Sequence, residues 1–201
     1  MQFDSPDATL NLGCFAWSPD GSRLACEGWD DTDPTRNGLY TVRASDGGDV
    51  TRLTTSPDGH DIPGDYSPDG RQIVLLRGWN HRLMVVNADG SGERTLSDRM
   101  VDASGSWSPD GTTILTDTGG SLLLVPVDGT KPSPIRIGDA TVGNALRPTW
   151  SPDGDWIVFS LYVRGAAHSD IYVMRKEGTD LLQITNTPGE DEEFGDWGVT
   201  P

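Results

Sequence analysis

The sequence predicts an all-β fold built from repeated four-stranded antiparallel units, and three observations carry that reading. The first is a five-residue turn that occurs four times, as Trp17-Ser18-Pro19-Asp20-Gly21, Tyr66-Ser67-Pro68-Asp69-Gly70, Trp107-Ser108-Pro109-Asp110-Gly111 and Trp150-Ser151-Pro152-Asp153-Gly154. Pro fixes φ at the second position of such a turn, and Gly takes the left-handed conformation that closes it onto a second strand. The second observation is spacing. The aromatic anchors lie 49, 41 and 43 residues apart, a period at which each repeat makes about one blade of a β-propeller. The third is composition: 25 Gly and 14 Pro among 201 residues, with no long run of apolar residues at helical spacing.

Each blade reads as four strands. The inner strand ends at the anchor, as in Cys14-Phe15-Ala16-Trp17. The second strand is the most apolar: Leu24-Ala25-Cys26, Ile73-Val74-Leu75-Leu76, Ile114-Leu115 and Ile157-Val158-Phe159. Such runs suit strands covered on both faces. Third strands follow at Leu39-Tyr40-Thr41-Val42, Leu83-Met84-Val85-Val86, Leu122-Leu123-Leu124-Val125 and Ile171-Tyr172-Val173-Met174. After acidic-Gly turns at Asp46-Gly47, Asp89-Gly90, Asp128-Gly129 and Glu177-Gly178 come the fourth strands: Thr51-Arg52-Leu53, Arg94-Thr95-Leu96, Ile135-Arg136-Ile137 and Leu182-Gln183-Ile184. Ser56-Pro57-Asp58-Gly59 repeats the tetrapeptide without apolar alternation after it, and reads as a loop between blades. The expectation is one array over 1–201, with blades at about 13–53, 63–96, 104–137 and 147–184 and partial terminal strands at 1–4 and 194–199. Four full repeats with two partial strands make a small or an incomplete ring, whose open blade edges offer places for association.

Net charge is −16, from 31 acidic and 15 basic residues. That field repels phosphate backbones and excludes nucleic acid as the expected partner, while favouring solubility, cations and basic peptides. No apolar run is long enough to span a bilayer, and Met1-Gln2-Phe3-Asp4-Ser5 does not read as a signal peptide, so any export leader would lie outside this sequence. Cys14 and Cys26 lie equally far from Asp20 on either side of the first turn, so a hairpin centred there sets them opposite each other. Leu75, Thr116 and Phe159 occupy the place of Cys26 in later blades, which marks a core position. Packed thiols are the favoured expectation; a cross-strand disulfide, pointing to an oxidising compartment, is the alternative.

The four anchors, with Asp170-Ile171-Tyr172-Val173-Met174 and the pairs Leu53-Thr54 and Ile184-Thr185 before blade connections, resemble the TolB-type, WD40-like propeller repeats of bacterial envelope proteins. Propellers of prolyl-oligopeptidase-type peptidases share this likeness. The resemblance covers essentially the whole chain. It implies a bacterial, periplasmic or extracellular protein-binding scaffold, and it departs from the family in having fewer than six blades and no hydrolase domain.

The residues themselves carry no hydrolase signature: Gly-x-Ser-x-Gly and His-Glu-x-x-His are absent, and no enzyme activity is expected. His168, Ser169 and Asp170 are neighbours on one strand, where alternation keeps them from forming a triad. Asn87-Ala88-Asp89-Gly90-Ser91-Gly92 with Asp98 mimics a calcium loop, but a hairpin turn stands at that place in every blade, so no cofactor is expected and calcium is the minor alternative. The loop face between blades is the expected binding surface, gathering Trp29, Trp79, His60, His81, Asp61, Asp102 and Glu192. Asp61, Asp102 and Glu192 each precede an anchor aromatic by five residues, although Leu12 and Ala145 interrupt that carboxylate ring. A protein or basic peptide is the expected partner. The rival reading places a divalent cation on Asp61, Asp102, Glu192 and His60 in a carbohydrate-active propeller; a third makes the chain an architectural piece of a larger envelope protein.

Overall fold

A computed structural model describes residues 9–56, 59–135, 137 and 143–198, so the expected strand at 1–4 and the Pro57-Asp58 pair lie outside the described residues. The chain forms two compact units, Met1–Met100 and Val101–Pro201. In the first, β1 (Asn11–Trp17), β2 (Arg23–Trp29), β3 (Gly38–Arg43) and β4 (Thr51–Arg52) make one sheet, and β5 (Asp61–Tyr66), β6 (Gln72–Arg77), β7 (Arg82–Asn87) and β8 (Arg94–Met100) make another. In the second unit, β9 (Ser106–Trp107), β10 (Thr113–Asp117), β11 (Leu122–Pro126) and β12 (Ser133–Pro134) form the third sheet. The fourth contains β13 (Gly143–Trp150), β14 (Trp156–Val163), β15 (Asp170–Arg175) and β16 (Leu182–Gln183). All four are antiparallel meanders in sequence order, the blades of an all-β propeller fold. One 3₁₀ turn at Pro34–Arg36 is the only helical segment among the described residues, and none is long and apolar enough to cross a membrane. The fourth strand of the third sheet falls at Ser133–Pro134, ahead of the expected Ile135-Arg136-Ile137.

The repeated turn explains where every sheet begins. In each copy the Ser hydroxyl donates to the Asp carboxylate, at 2.6 Å for Ser18–Asp20, 2.7 Å for Ser67–Asp69, 2.6 Å for Ser108–Asp110 and 2.5 Å for Ser151–Asp153. The same hydroxyl accepts the N–H of Arg23, Gln72, Thr113 or Trp156, the residue that opens or enters the next strand, at 2.9 to 3.0 Å. The Asp carboxylate in turn accepts the N–H two residues on, from Ser22, Arg71, Thr112 and Asp155. Gly21, Gly70, Gly111 and Gly154 all stand at φ near +70° (69, 71, 71 and 73), a conformation that favours glycine.

A β-bulge two or three residues before the anchor lets one inner strand serve two faces. Cys14 pairs with Cys26, but Ala16 pairs with Ala25, so Phe15 is the extra residue. Equivalent shifts fall between Pro63 and Asp65 and between Leu146 and Thr149. Through this shift Leu12, Cys14, Leu24, Cys26, Tyr40 and Val42 share one apolar cluster, whereas Ala16, Ala25 and Leu39 join Tyr66, Ile73, Leu75, Met84 and Val86 between the two sheets of the first unit. Tyr66 is therefore buried against the preceding sheet, where loss of water pushes its phenol up to about 12. Trp150 is seated the same way, with Leu115, Leu122 and Ile135 of the third sheet beneath it.

Cys14 and Cys26 form a disulfide, which corrects the expectation of packed thiols. The two are a direct register pair ahead of the bulge, and that opposition brings the sulfurs into bonding reach. The expected terminal strand at 194–199 is not one over its described residues: 194–198 make no strand. Instead the segment lies across the fourth sheet, where a Cβ on Gly195 would meet Val158 Cγ2 at 2.8 Å and Ile171 Cγ2 at 3.2 Å. Glu192 N–H donates to Ser169 O at 2.9 Å just before it.

The turns set an acid limit on stability. Hydrogen bonds from Ser18 and Ser22 hold the Asp20 carboxyl down to about 2, and hydrogen bonds from their own turn serines first of all lower Asp69, Asp110 and Asp153. A carboxyl depressed in the folded state contributes stability above its unfolded value near 3.8 and loses it as pH falls through the folded value. Asp117, raised by burial, acts in the opposite sense but is a single group. The thermal unfolding midpoint is expected to stay level from pH 7 to pH 5 and to fall steeply between about pH 4 and pH 2. A midpoint unchanged down to pH 2 would refute this account of the turns.

Candidate functional site

The loop end of the first unit is organised by a buried ion pair. Asp61, the first residue of β5, has no exposed surface. Its carboxylate receives Arg77 Nε at 2.8 Å and Nη2 at 2.7 Å, a bidentate fork, together with the Thr54 hydroxyl. Thr54 closes the preceding sheet, and its Oγ1 also accepts Leu39 N–H at 2.8 Å. One carboxylate thus ties the end of the first sheet to the start of the second. Arg77 also pairs with Glu93, so its donors are largely spent.

His60, one residue earlier, leans outward. Its Nδ1 meets the carboxylate of Glu27 on β2, and its ring stands edge-on to Trp79 with centroids 5.0 Å apart. Close backbone packing makes this possible: a Cβ on Gly59 would sit 2.7 Å from Gly78 Cα, so only glycine fits there. Gly78 N–H donates to His60 O at 2.6 Å, and the Gly78–His81 turn closes with His81 N–H on Gly78 O at 3.0 Å. Trp79 at the turn's tip is 72% exposed. Beside it opens a cleft of about 460 Å³ lined by Thr55, Ser56, Arg77, Gly78, Trp79, Asn80 and Arg82.

The expected set is therefore only partly brought together. His60 and Trp79 meet. Trp29 does not join them, because it is still paired in β2, opposite Asn11, with its ring 3.6 Å from where a Gly13 Cβ would be. A one-residue offset in repeat position separates the two tryptophans: Trp29 ends a strand, Trp79 rides a turn. His81, at φ 47°, closes that turn outside the cleft lining. Asp61 is sealed by Arg77 and Thr54. Asp102 and Glu192 belong to the second unit. Asp102 N–H donates to Asp117 O at 2.9 Å, while Glu192 accepts the Thr187 hydroxyl at 2.7 Å, and hydrogen bonds from Thr185 and Thr187 lower its carboxyl.

Other groups went unread in the sequence. Glu27 and Arg77 carry no motif, and each finds its partner across a register visible only once the sheets are paired. Asp117 is buried, with one oxygen accepting Arg147 N–H at 2.9 Å; burial raises its carboxyl and neighbouring Asp102 adds to the shift. Ser169 donates to Glu192 O at 3.2 Å and lies 3.5 Å from Asp191, which also faces His168 Nδ1 at 3.8 Å. Serine and histidine both turn to Asp191, so the geometry of a nucleophilic triad is not made. The Asn87–Gly92 segment is a hairpin turn, with Asp89 accepting Ser91 N–H at 2.9 Å and Gly90 N–H on Asn87 O at 2.8 Å. Among the described residues no group of three or more His, Cys, Asp or Glu side chains stands ready to hold a metal ion.

No protein-family model matches the chain. Among curated proteins it is similar to an uncharacterized protein of Agrobacterium fabrum, 28% identical over 176 residues covering 77% of this chain and 57% of that one. It is also similar to the uncharacterized peptidase YuxL of Bacillus subtilis, 30% identical over 172 residues covering 79% of this chain and 23% of the peptidase. The chain thus spans less than two thirds of the length of either relative. Among solved structures, a putative TolB from Agrobacterium tumefaciens superposes with a TM-score of 0.68 at 22% identity, over 90% of this chain and 78% of that one. An oligogalacturonate lyase from Vibrio parahaemolyticus gives 0.67 at 14% identity, over 89% and 55%. These likenesses show a TolB-like propeller fold, one that carries both named enzymes and TolB proteins.

The ion pair makes a sharp stability prediction. Arg77→Met leaves the fully buried Asp61 carboxylate with a hydroxyl alone and should cost about 3 kcal/mol in chemical denaturation. The double change Asp61→Asn with Arg77→Met should cost clearly less, since no charge is then stranded. A double variant that loses as much as Arg77→Met or more would contradict the stranded charge as the source of the loss.

Proposed function

We propose that this chain is a non-catalytic binding module of the TolB-like propeller kind, which holds a protein partner at the loop end of its first unit through Trp79. The observation that carries the reading is the indole itself: a large apolar ring, 72% exposed, standing at an open cleft among polar groups. Such rings are the usual anchors of protein interfaces. The fold shared with TolB structures agrees with a scaffold role without specifying it. In this reading the four sheets form one array over residues 1–201, and the array is a part of a longer propeller, in keeping with the share of its relatives that the chain spans. The Cys14–Cys26 disulfide supports an oxidising, periplasmic or extracellular location.

A catalytic reading has less behind it. The name of YuxL as a peptidase belongs to a protein of which the match spans 23%, and the serine nearest a histidine in sequence, Ser169, spends its hydroxyl on Glu192 O and Asp191.

Panning a phage-displayed random dodecapeptide library against the immobilised chain tests the module. Enriched peptides should lose about thirtyfold in affinity on Trp79→Ala and bind unchanged to Asp102→Asn, which lies in the other unit. Peptides that bind Trp79→Ala as well as the original chain would place the binding surface elsewhere.

A further inference from the structure

The whole-chain charge of −16 argues for a basic partner, yet the cleft beside Trp79 is built with the opposite sign. Among the described residues its lining holds two arginines and no carboxylate. Arg77 is occupied by Asp61 and Glu93. Arg82 stands at the exposed first position of β7, and its guanidinium has no hydrogen-bond or ion-pair partner among the described residues. Asn80 lines the cleft beside it. An unpaired guanidinium, a carboxamide and an indole face make a receptor for a carboxylate carried next to an apolar group.

The other rim of the cleft is the backbone that follows β4. Beyond β4, Thr54 N–H donates to Leu39 O at 3.3 Å and Ser56 N–H to Asn37 O at 2.9 Å, both toward the neighbouring strand. Thr55 lies between them, is exposed, and lines the cleft. Thr55 makes no backbone hydrogen bond among the described residues, and it follows β4, the outermost strand of its sheet. A free edge of this kind receives an added peptide strand.

We propose, resting on the binding-module reading above, that the Trp79 cleft takes an extended peptide segment, with an acidic side chain on Arg82 and Asn80 and an adjacent apolar side chain on Trp79. The backbone rim at Thr55 favours a peptide over a saccharide, which would find the aromatic face and the guanidinium but have no use for an edge amide and carbonyl.

Fluorescence polarisation with three labelled hexapeptides, identical except for Glu, Gln or Lys beside a central Leu, tests this, with a uronic-acid trisaccharide as competitor. The Glu peptide is expected to bind about tenfold more tightly than the Gln peptide, and the Lys peptide more weakly than either. Arg82→Gln should bring the Glu and Gln affinities together while leaving the Gln peptide's affinity where it was, and Trp79→Ala should weaken all three. Equal Glu and Gln affinities, or a preference for Lys, would overturn the acidic assignment and leave the module standing. Trisaccharide binding without peptide binding would overturn the peptide assignment. Peptide binding indifferent to both Trp79→Ala and Arg82→Gln would overturn this inference and the Trp79 site together.

Discussion

A serine hydroxyl that accepts one backbone amide and donates to one carboxylate sets the first hairpin of every sheet in this protein. The hydroxyls of Ser18, Ser67, Ser108 and Ser151 each join the start of a turn to the strand that follows it. Because the contact is local, it closes its loop at little entropic expense. What it fixes is not local. With the turn set, the register of the first two strands follows, and with the register follows the face on which every later side chain falls. The bulge before Tyr66 and before Trp150 then turns the aromatic onto the preceding sheet of its unit. Stacking of sheets is in this sense a consequence of turn chemistry.

That chain of causes also explains what could be read from the sequence. The turns, strand order and sheet count were legible because each rests on contacts within a dozen residues, where residue type and spacing are sufficient. The opposition of Cys14 and Cys26 was legible for the same reason, although spacing alone did not tell thiols from a disulfide. The bulge was not, since Phe15, Gly64 and the Arg147-Pro148 pair share no residue type. Without it, Cys14 and Ala16 would lie on one face, whereas they lie in different clusters.

The site was harder to read because its decisive partners come from strands that meet only after folding. Asp61 stood out as a loop carboxylate by its place before Tyr66, and nothing nearby marked Arg77 as the cation that would take it out of solvent. Trp29 and Trp79 looked equivalent at a precision of one residue, and one residue is the difference between a strand end and a turn tip. Net charge works at a different range: a sum over 201 residues describes the far field, while the proposed recognition at Trp79 rests on Arg82 and Asn80 in the lining of the same cleft.

The most direct test of this account is to remove the turn hydroxyls one at a time, with Ser67→Ala, Ser108→Ala and Ser151→Ala measured by chemical denaturation. Each change strands the N–H of Gln72, Thr113 or Trp156 and leaves the Asp carboxylate short of a donor, so each should cost about 1–2 kcal/mol. If all three variants unfold like the parent chain, the turn is a bystander and the sheets are set by their cores alone.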